Sequence, residues 1–361
     1  MAKTQKPIIP FQQVVNHLLD MNKPFPPVHL HRFSDLSGND LAQFKETWPK
    51  VDSNRRLAIA EDLEELAESD TLVSFDELAK IGLEDTDARV RATALRILWE
   101  NEDPQLATIF INMMEKDTDD VVRASAAAAL GLFVYSGELE KISPLLKKRV
   151  EESLFSVQKG PDLALVRRRA LESLGYSSRE EIVPLLKAAL NSNDTEWKAS
   201  AIFAMGRSAD EQWAPTILQK LEDSDVEVQL EAVRAAGQME LDSARETLLK
   251  MLSQAEDLDE DVRMATIWAL SQIGGEDVRS VLEHLQTEAE DEDEADYIEF
   301  AIDNLALAQD IPGFGMFDPL AGLDLEGHAR IVDLSEQESD DFEESDLTED
   351  LPPEEDQDQV D

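Results

Sequence analysis

Residues 117–131 read DTDDVVRASAAAALG. Three aspartates stand in the first four positions, an Arg follows the apolar Val122, five alanines fall between Ala124 and Ala129, and Gly131 closes the run. Acids at the start and small apolar residues after them are the pattern of a helix beginning. Asp side chains accept the unpaired amides of a first turn, and their charge suits the positive end of the helix dipole.

The same arrangement recurs along the chain. The apolar residue and its neighbour align as Val90-Arg91, Val122-Arg123, Val166-Arg167, Trp197-Lys198, Val228-Gln229, Val262-Arg263 and, in degenerate form, Tyr297-Ile298. Most spacings lie between 31 and 35 residues, and the one from Val122 to Val166 is 44, which places an insertion there. A fixed period of this size marks stacked helical pairs, each burying its apolar face only against its neighbours. Counting from the Val position as zero, offsets +4, +5 and +8 are apolar or small nearly throughout, as in Ala94, Leu95 and Leu98 or Ala126, Ala127 and Leu130. Together with offset 0 they occupy one face of a 3.6-residue helix, which is predicted to be the packed one. Acidic turns (EDTDAR, KDTDDV, SNDTEW, EDSDVE, DLDEDV) precede these helices and supply caps. Gly131, Gly175, Gly206 and Gly237 share offset +9, where a C-cap or a close helix approach is expected.

A helix ending in LL-x-x-L followed by D-x-x-x-x-V-R-x-x-A-x-x-A-L-G resembles the HEAT-repeat family, including the short repeats of phycobilin-lyase-like HEAT proteins. The resemblance covers roughly residues 55–308. It implies an all-α fold, an α-solenoid with a right-handed superhelix of about seven helical-hairpin repeats. It also implies that Arg91, Arg123, Arg167 and Arg263 form a structural ladder, each reaching a neighbouring repeat's turn Asp. The organisation expected is a divergent N-terminal helical cap over 1–83, a repeat array over 84–309 with its long repeat at about 131–165, and an acidic C-terminal tail over 310–361.

That tail holds 19 acids against the single base Arg330 and is predicted to stay disordered. Inside it, residues 311–325 carry a short apolar motif, with Phe314, Met316, Phe317 and Leu320 as docking residues.

The net charge of −46 disfavours nucleic acid and anionic membranes. The absence of cysteine excludes disulfides and thiol chemistry. No apolar run reaches bilayer-spanning length, and the N-terminus does not read as a signal peptide, so a cytoplasmic protein is expected. Nucleotide-binding loops and nucleophile elbows are missing from the sequence. The five histidines offer no ligand set beyond His29-x-His31, so neither a metal nor a cofactor is expected. Deoxyhypusine hydroxylases, also built of such repeats, use His-Glu dipeptides, and this chain has none.

A non-enzymatic scaffold or adaptor is therefore expected, gripping a protein segment on the concave surface of the second helices. In HEAT arrays offsets +2, +3, +6 and +10 line that surface. Phe203, Leu230, Arg234, Met264 and Trp268 would supply the grip, and Arg168, Arg169 and Arg207 would select acidic groups. The long repeat adds a basic patch at Lys147, Lys148 and Arg149. The tail is expected to fold back on this patch or on the concave wall in competition with a partner. Two alternatives stand beside the scaffold: a phycobilin-lyase-like or other protein-modifying accessory factor, and an acidic-tail chaperone for a basic protein.

Overall fold

The computed structural model describes residues 9–253, 258–275, 277–289 and 292–310. The expected docking residues Phe314, Met316, Phe317 and Leu320 lie outside them. Among the described residues every regular element is helical.

An N-terminal part contains α1 (Phe11–Leu19), α2 (Gly38–Thr47) and α3 (Ser53–Ser69), with a 3-10 segment at Pro27–Phe33. Aromatics hold it together: Phe11, Phe33, Phe44, Trp48 and Phe75 form one buried cluster that extends to Val90. Arg55, in the first turn of α3, closes the open end of α1. Its guanidinium donates to the carbonyls of His17 at 2.8 Å and Asp20 at 2.7 Å. This satisfies acceptors that a helix C-terminus leaves unpaired.

Seven hairpins follow among the described residues. They pair α4 (Asp76–Gly82) with α5 (Ala88–Ile97), α6 (Pro104–Lys116) with α7 (Asp120–Glu138), and α8 (Pro144–Gln158) with α9 (Ala164–Leu174). Then α10 (Ile182–Leu190) pairs with α11 (Thr195–Ser208), and α12 (Ala214–Lys220) with α13 (Val226–Gln238). The last two pair α14 (Arg245–Ser253) with α15 (Glu260–Ile273), and α16 (Val278–Glu288) with α17 (Glu292–Asp310). Each second helix also packs on the second helix of the next hairpin, so α3, α5, α7, α9, α11, α13, α15 and α17 form a continuous layer. The extra residues of the long repeat extend α7 to 19 residues and α8 to 15.

The predicted packed face is buried in every repeat: residues at offsets 0, +4, +5 and +8 are inaccessible from α5 through α15, with only Trp197 half-exposed. The acidic turns split their work between two aspartates. The second of each pair caps: Asp87, Asp119 and Asp225 accept from backbone amides two residues on. The first braces the turn, with Asp85, Asp117 and Asp223 accepting the amides of Asp87, Asp119 and Asp225.

The Arg ladder joins these turns. Arg91 donates to the Asp117 carboxylate through Nε and Nη2, and its Nη1 donates to the Asp85 carbonyl at 2.9 Å. Arg123 repeats the arrangement with Asp162 and the Asp117 carbonyl. Arg263 pairs with Glu294, a carboxylate in the first turn of α17 and not the expected turn Asp. Arg56 adds a rung at the N-terminal junction that the repeat alignment does not reveal, forming a buried ion pair with Asp85 at 2.8 Å. Arg167 departs from the expectation. Five residues before the next zero position, where Asp85, Asp117 and Asp223 stand in their repeats, this turn has Ser192. Lacking an acid there, Arg167 donates to the Gln158 carbonyl at 3.0 Å and lies over the Trp197 ring.

The offset +9 glycines serve close approach more than capping. A Cβ on Gly206 would stand 2.9 Å from the Cα of Ala235, and one on Gly237 would stand 2.8 Å from the Cα of Ala269. Small residues at offset +7 of the next helix receive them, which is why the second helices are built from Ala and Gly.

Candidate partner-binding surface

This close stacking narrows what the second-helix layer presents to solvent. Offsets +2, +3 and +7 are largely consumed by contacts between successive second helices: Ala92, Thr93, Ala124, Ser173, Ala199, Ser200, Glu231 and Ala265 are all buried. Polar members of this seam are satisfied across it. Ser173 Oγ donates to the Ala127 carbonyl at 2.7 Å, Ser200 Oγ to Glu172 at 2.6 Å, and Asn304 Nδ2 to Ser271 Oγ at 2.9 Å. What remains partly open is a strip at offset +10, at offset +6 in α5, α7, α11 and α13, and, where the helix is long enough, at +13.

Several expected grip residues are therefore drawn inward. Trp268 is only 4% exposed, with its ring stacked on Phe300 at 5.8 Å and tilted against Tyr297. It belongs to the contact between α15 and α17, contrary to the expectation from offset +6. Arg169 is also buried and donates to Glu172 at 2.7 Å. Arg168 is nearly covered and pairs with Glu196, and Arg234 pairs with Glu231 one turn away. Leu230 and Met264 are half-buried at offset +2. The patch of the long repeat is largely neutralised by its own acids. Lys147 pairs with Glu138 and Lys148 with Glu152, while Arg149 is exposed and, among the described residues, makes a single long contact at 3.5 Å to Thr108.

Phe203 and Arg207 stay on the open strip, and the structure joins them to two residues that the sequence reading passed over. The Arg207 guanidinium lies over the Phe203 ring at 4.1 Å and over the Tyr176 ring at 4.9 Å. The Tyr176 ring in turn meets that of Tyr135 at 5.2 Å. Tyr135 is 43% exposed, and the other three are half-buried. The run Tyr135, Tyr176, Arg207, Phe203 thus crosses three successive second-helix units, from α7 past the end of α9 to α11. Tyr176 stands at offset +10, an outward position whose residue types carried the signal. Tyr135 stands at +13, reachable only because α7 continues to Glu138.

Arg207 is electrostatically distinct. Among the described residues its guanidinium makes one hydrogen bond, a long one from Nη1 to the Glu172 carbonyl at 3.3 Å, and pairs with no carboxylate. The surrounding arginines are matched: Arg168 by Glu196, Arg169 by Glu172, Arg179 by Glu181 and Arg234 by Glu231. A guanidinium stacked on aromatic faces keeps its N–H edges free for an anion. Among the described residues no group of three or more His, Asp or Glu side chains is arranged to hold a metal, and no helix is long and apolar enough to cross a membrane.

Two family matches fall on this array. The family described as HEAT repeats matches residues 75–159 and 214–299, and the PBS lyase HEAT-like repeat matches residues 166–192. The chain belongs to the HEAT-repeat proteins. Among solved structures, the HEAT array is similar to YibA of Escherichia coli, with 17% identity over 76% of this chain and 95% of that one at a TM-score of 0.39. It is similar to the complex of CpcE and CpcF of phycocyanin lyase from Nostoc sp. PCC7120, with 16% identity over 84% and 98% of the two chains at a TM-score of 0.46. Human deoxyhypusine hydroxylase shares 18% identity over 73% of this chain and 95% of its own, at a TM-score of 0.32. Comparison with curated protein sequences gives no match.

Proposed function

We propose that this HEAT-repeat chain is a non-enzymatic scaffold that binds a segment of a partner protein along the open strip of its second helices. The observation that carries this reading is the run Tyr135, Tyr176, Arg207, Phe203. Large amphipathic side chains bridge consecutive repeats and still present surface to solvent, and Tyr and Arg are the residue types that dominate binding energy at interfaces. Their positions are fixed by ring and guanidinium contacts before a partner arrives, so little side-chain entropy is lost on binding. Trp268, Arg169 and the matched arginines act in this reading as the frame that sets the spacing of the strip.

The test is a cross-linked pull-down from cells, comparing the wild-type chain with the Tyr176→Ala/Phe203→Ala double variant, quantified by mass spectrometry. Partners bound on the strip are lost from the double variant and survive raised salt. Partners held by the polyanionic 310–361 segment persist in the double variant and dissociate as salt rises. If the double variant keeps every partner, the strip is not the binding surface.

A further inference from the structure

Resting on that reading, the geometry points to the chemistry of the partner segment: we infer that the strip takes a carboxylate-bearing side chain flanked by an aromatic or large apolar one, with Arg207 as its receptor. This chain carries 79 acids against 33 bases, and most of its described guanidiniums pair with a carboxylate; Arg207, like Arg55, Arg149 and Arg167, does not. Arg207 donates to the backbone carbonyl of Glu172, whose carboxylate is already held by Arg169 and Ser200. Its guanidinium is thus a cation that no carboxylate pairs with among the described residues.

The aromatic contacts explain how that state persists. With Tyr176 and Phe203 each against the guanidinium, the ring quadrupoles supply part of what a counter-ion would provide. They also fix the plane of the fork. An Arg has five N–H donors, and here one is spent on a weak bond to a carbonyl. The remaining edge matches a carboxylate bidentately. The Tyr135 and Tyr176 hydroxyls make no hydrogen bond among the described residues. Beside the fork, the exposed ring surface of Tyr135 favours an apolar neighbour to the acid. The negative field of the whole chain selects further: a segment rich in acids is repelled at long range, so the preferred partner segment carries one or two carboxylates in an otherwise neutral or basic context.

A random 16-residue peptide display library panned on the full chain tests this. Enriched peptides are expected to place Asp or Glu next to Phe, Tyr, Trp or Leu. Synthetic versions with that acid changed to its amide should bind the wild-type chain about tenfold more weakly or worse. The Arg207→Gln variant should lose the same factor for the acidic peptide and no longer distinguish acid from amide. Arg207→Lys should recover only part of it, since the ammonium lacks the planar fork. Because the acid-to-amide change is made in the peptide, the comparison does not depend on how a variant folds. Enriched peptides that need Tyr176 and Phe203 but bind equally with acid or amide overturn the carboxylate inference and leave the scaffold reading standing. A library yielding nothing that depends on Tyr176 and Phe203 overturns both.

Discussion

Arg91 and Asp117 face each other across a repeat boundary with both guanidinium edges engaged: Nε and Nη2 donate to the two carboxylate oxygens at 2.9 and 2.6 Å. Both side chains are mostly covered, at 15% and 11% exposure. Removing one partner leaves the other charge partly desolvated and unpaired, so Arg91→Ala is expected to cost about 2–3 kcal/mol in urea unfolding. Burial alone pushes the Asp117 carboxyl up, but the Arg91 and Asp119 hydrogen bonds and the Arg91 and Arg123 charges outweigh it and hold the group below the ordinary carboxylate range. A depressed folded value means the rung contributes fully above the unfolded value of about 4 and is lost as pH falls through the folded one. Stability measured from pH 5 down to pH 2 should therefore fall less steeply in Arg91→Ala than in wild type. Equal slopes would show that the rung does not couple to the proton.

Closeness of the second helices gives an ordered series. A methyl group at Gly237 or Gly206 meets backbone of the next helix at under 3 Å, whereas at Gly131 its nearest neighbour is the Ser173 hydroxyl at 3.1 Å. Backbone yields less readily than a hydroxyl. Gly237→Ala and Gly206→Ala are expected to destabilise by about 1–3 kcal/mol through overpacking, and Gly131→Ala by less. Chemical denaturation of the three variants checks the order, and a Gly131→Ala loss equal to the others would contradict it.

At the N-terminal part a proton-sensitive contact stands apart from the repeats. His17 Nδ1 lies 2.8 Å from His29 Nε2 with the rings stacked at 4.8 Å, and the Phe25 ring edge closes the buried His29. From α3 the Arg55 guanidinium sits on the His17 carbonyl, so cationic charge already faces the pair. Burial, and secondarily the charge of His17, lower the His29 pKa. Folding therefore favours the neutral ring. Its contribution is complete above the unfolded value of about 6.5 and is lost as pH falls below it. Hydrogen exchange over residues 11–33, corrected for intrinsic rates, should accelerate between pH 7 and pH 5 in wild type and stay flat in His29→Phe. Acceleration of the same size in both would assign the effect elsewhere.

The repeat period and the packed face were legible because both depend on spacing alone. Offsets 0, +4, +5 and +8 recur whatever the neighbouring repeat does, and the capping aspartates act within their own turns. The open strip was only partly legible, because exposure at +2, +3 and +6 depends on how close the next helix lies. Small residues at +7 and +9 draw the helices together, and that approach buries Trp268 and Arg169 while leaving Phe203 and Arg207 in view. Tyr135 was hidden for another reason, since α7 outruns the period by which the other second helices are compared.

The interrupted rung at Arg167 gives the sharpest test of the ladder. Ser192 already accepts the Asp194 amide through its hydroxyl at 3.1 Å, as Asp117 accepts that of Asp119 through its carboxylate at 3.0 Å. An Asp at this position can keep the brace and add an acid where the ladder elsewhere supplies one. Ser192→Asp is therefore expected to draw Arg167 away from the Trp197 ring into an ion pair and to stabilise the chain by about 1 kcal/mol. The alternative is that another like charge, in a protein already at −46, only adds repulsion. A double-mutant cycle with Arg167→Ala separates the two. Coupling of about 1 kcal/mol between the sites assigns the gain to the new rung, whereas a Ser192→Asp effect that is unchanged in the Arg167→Ala background would mean that the turn acid acts without its Arg.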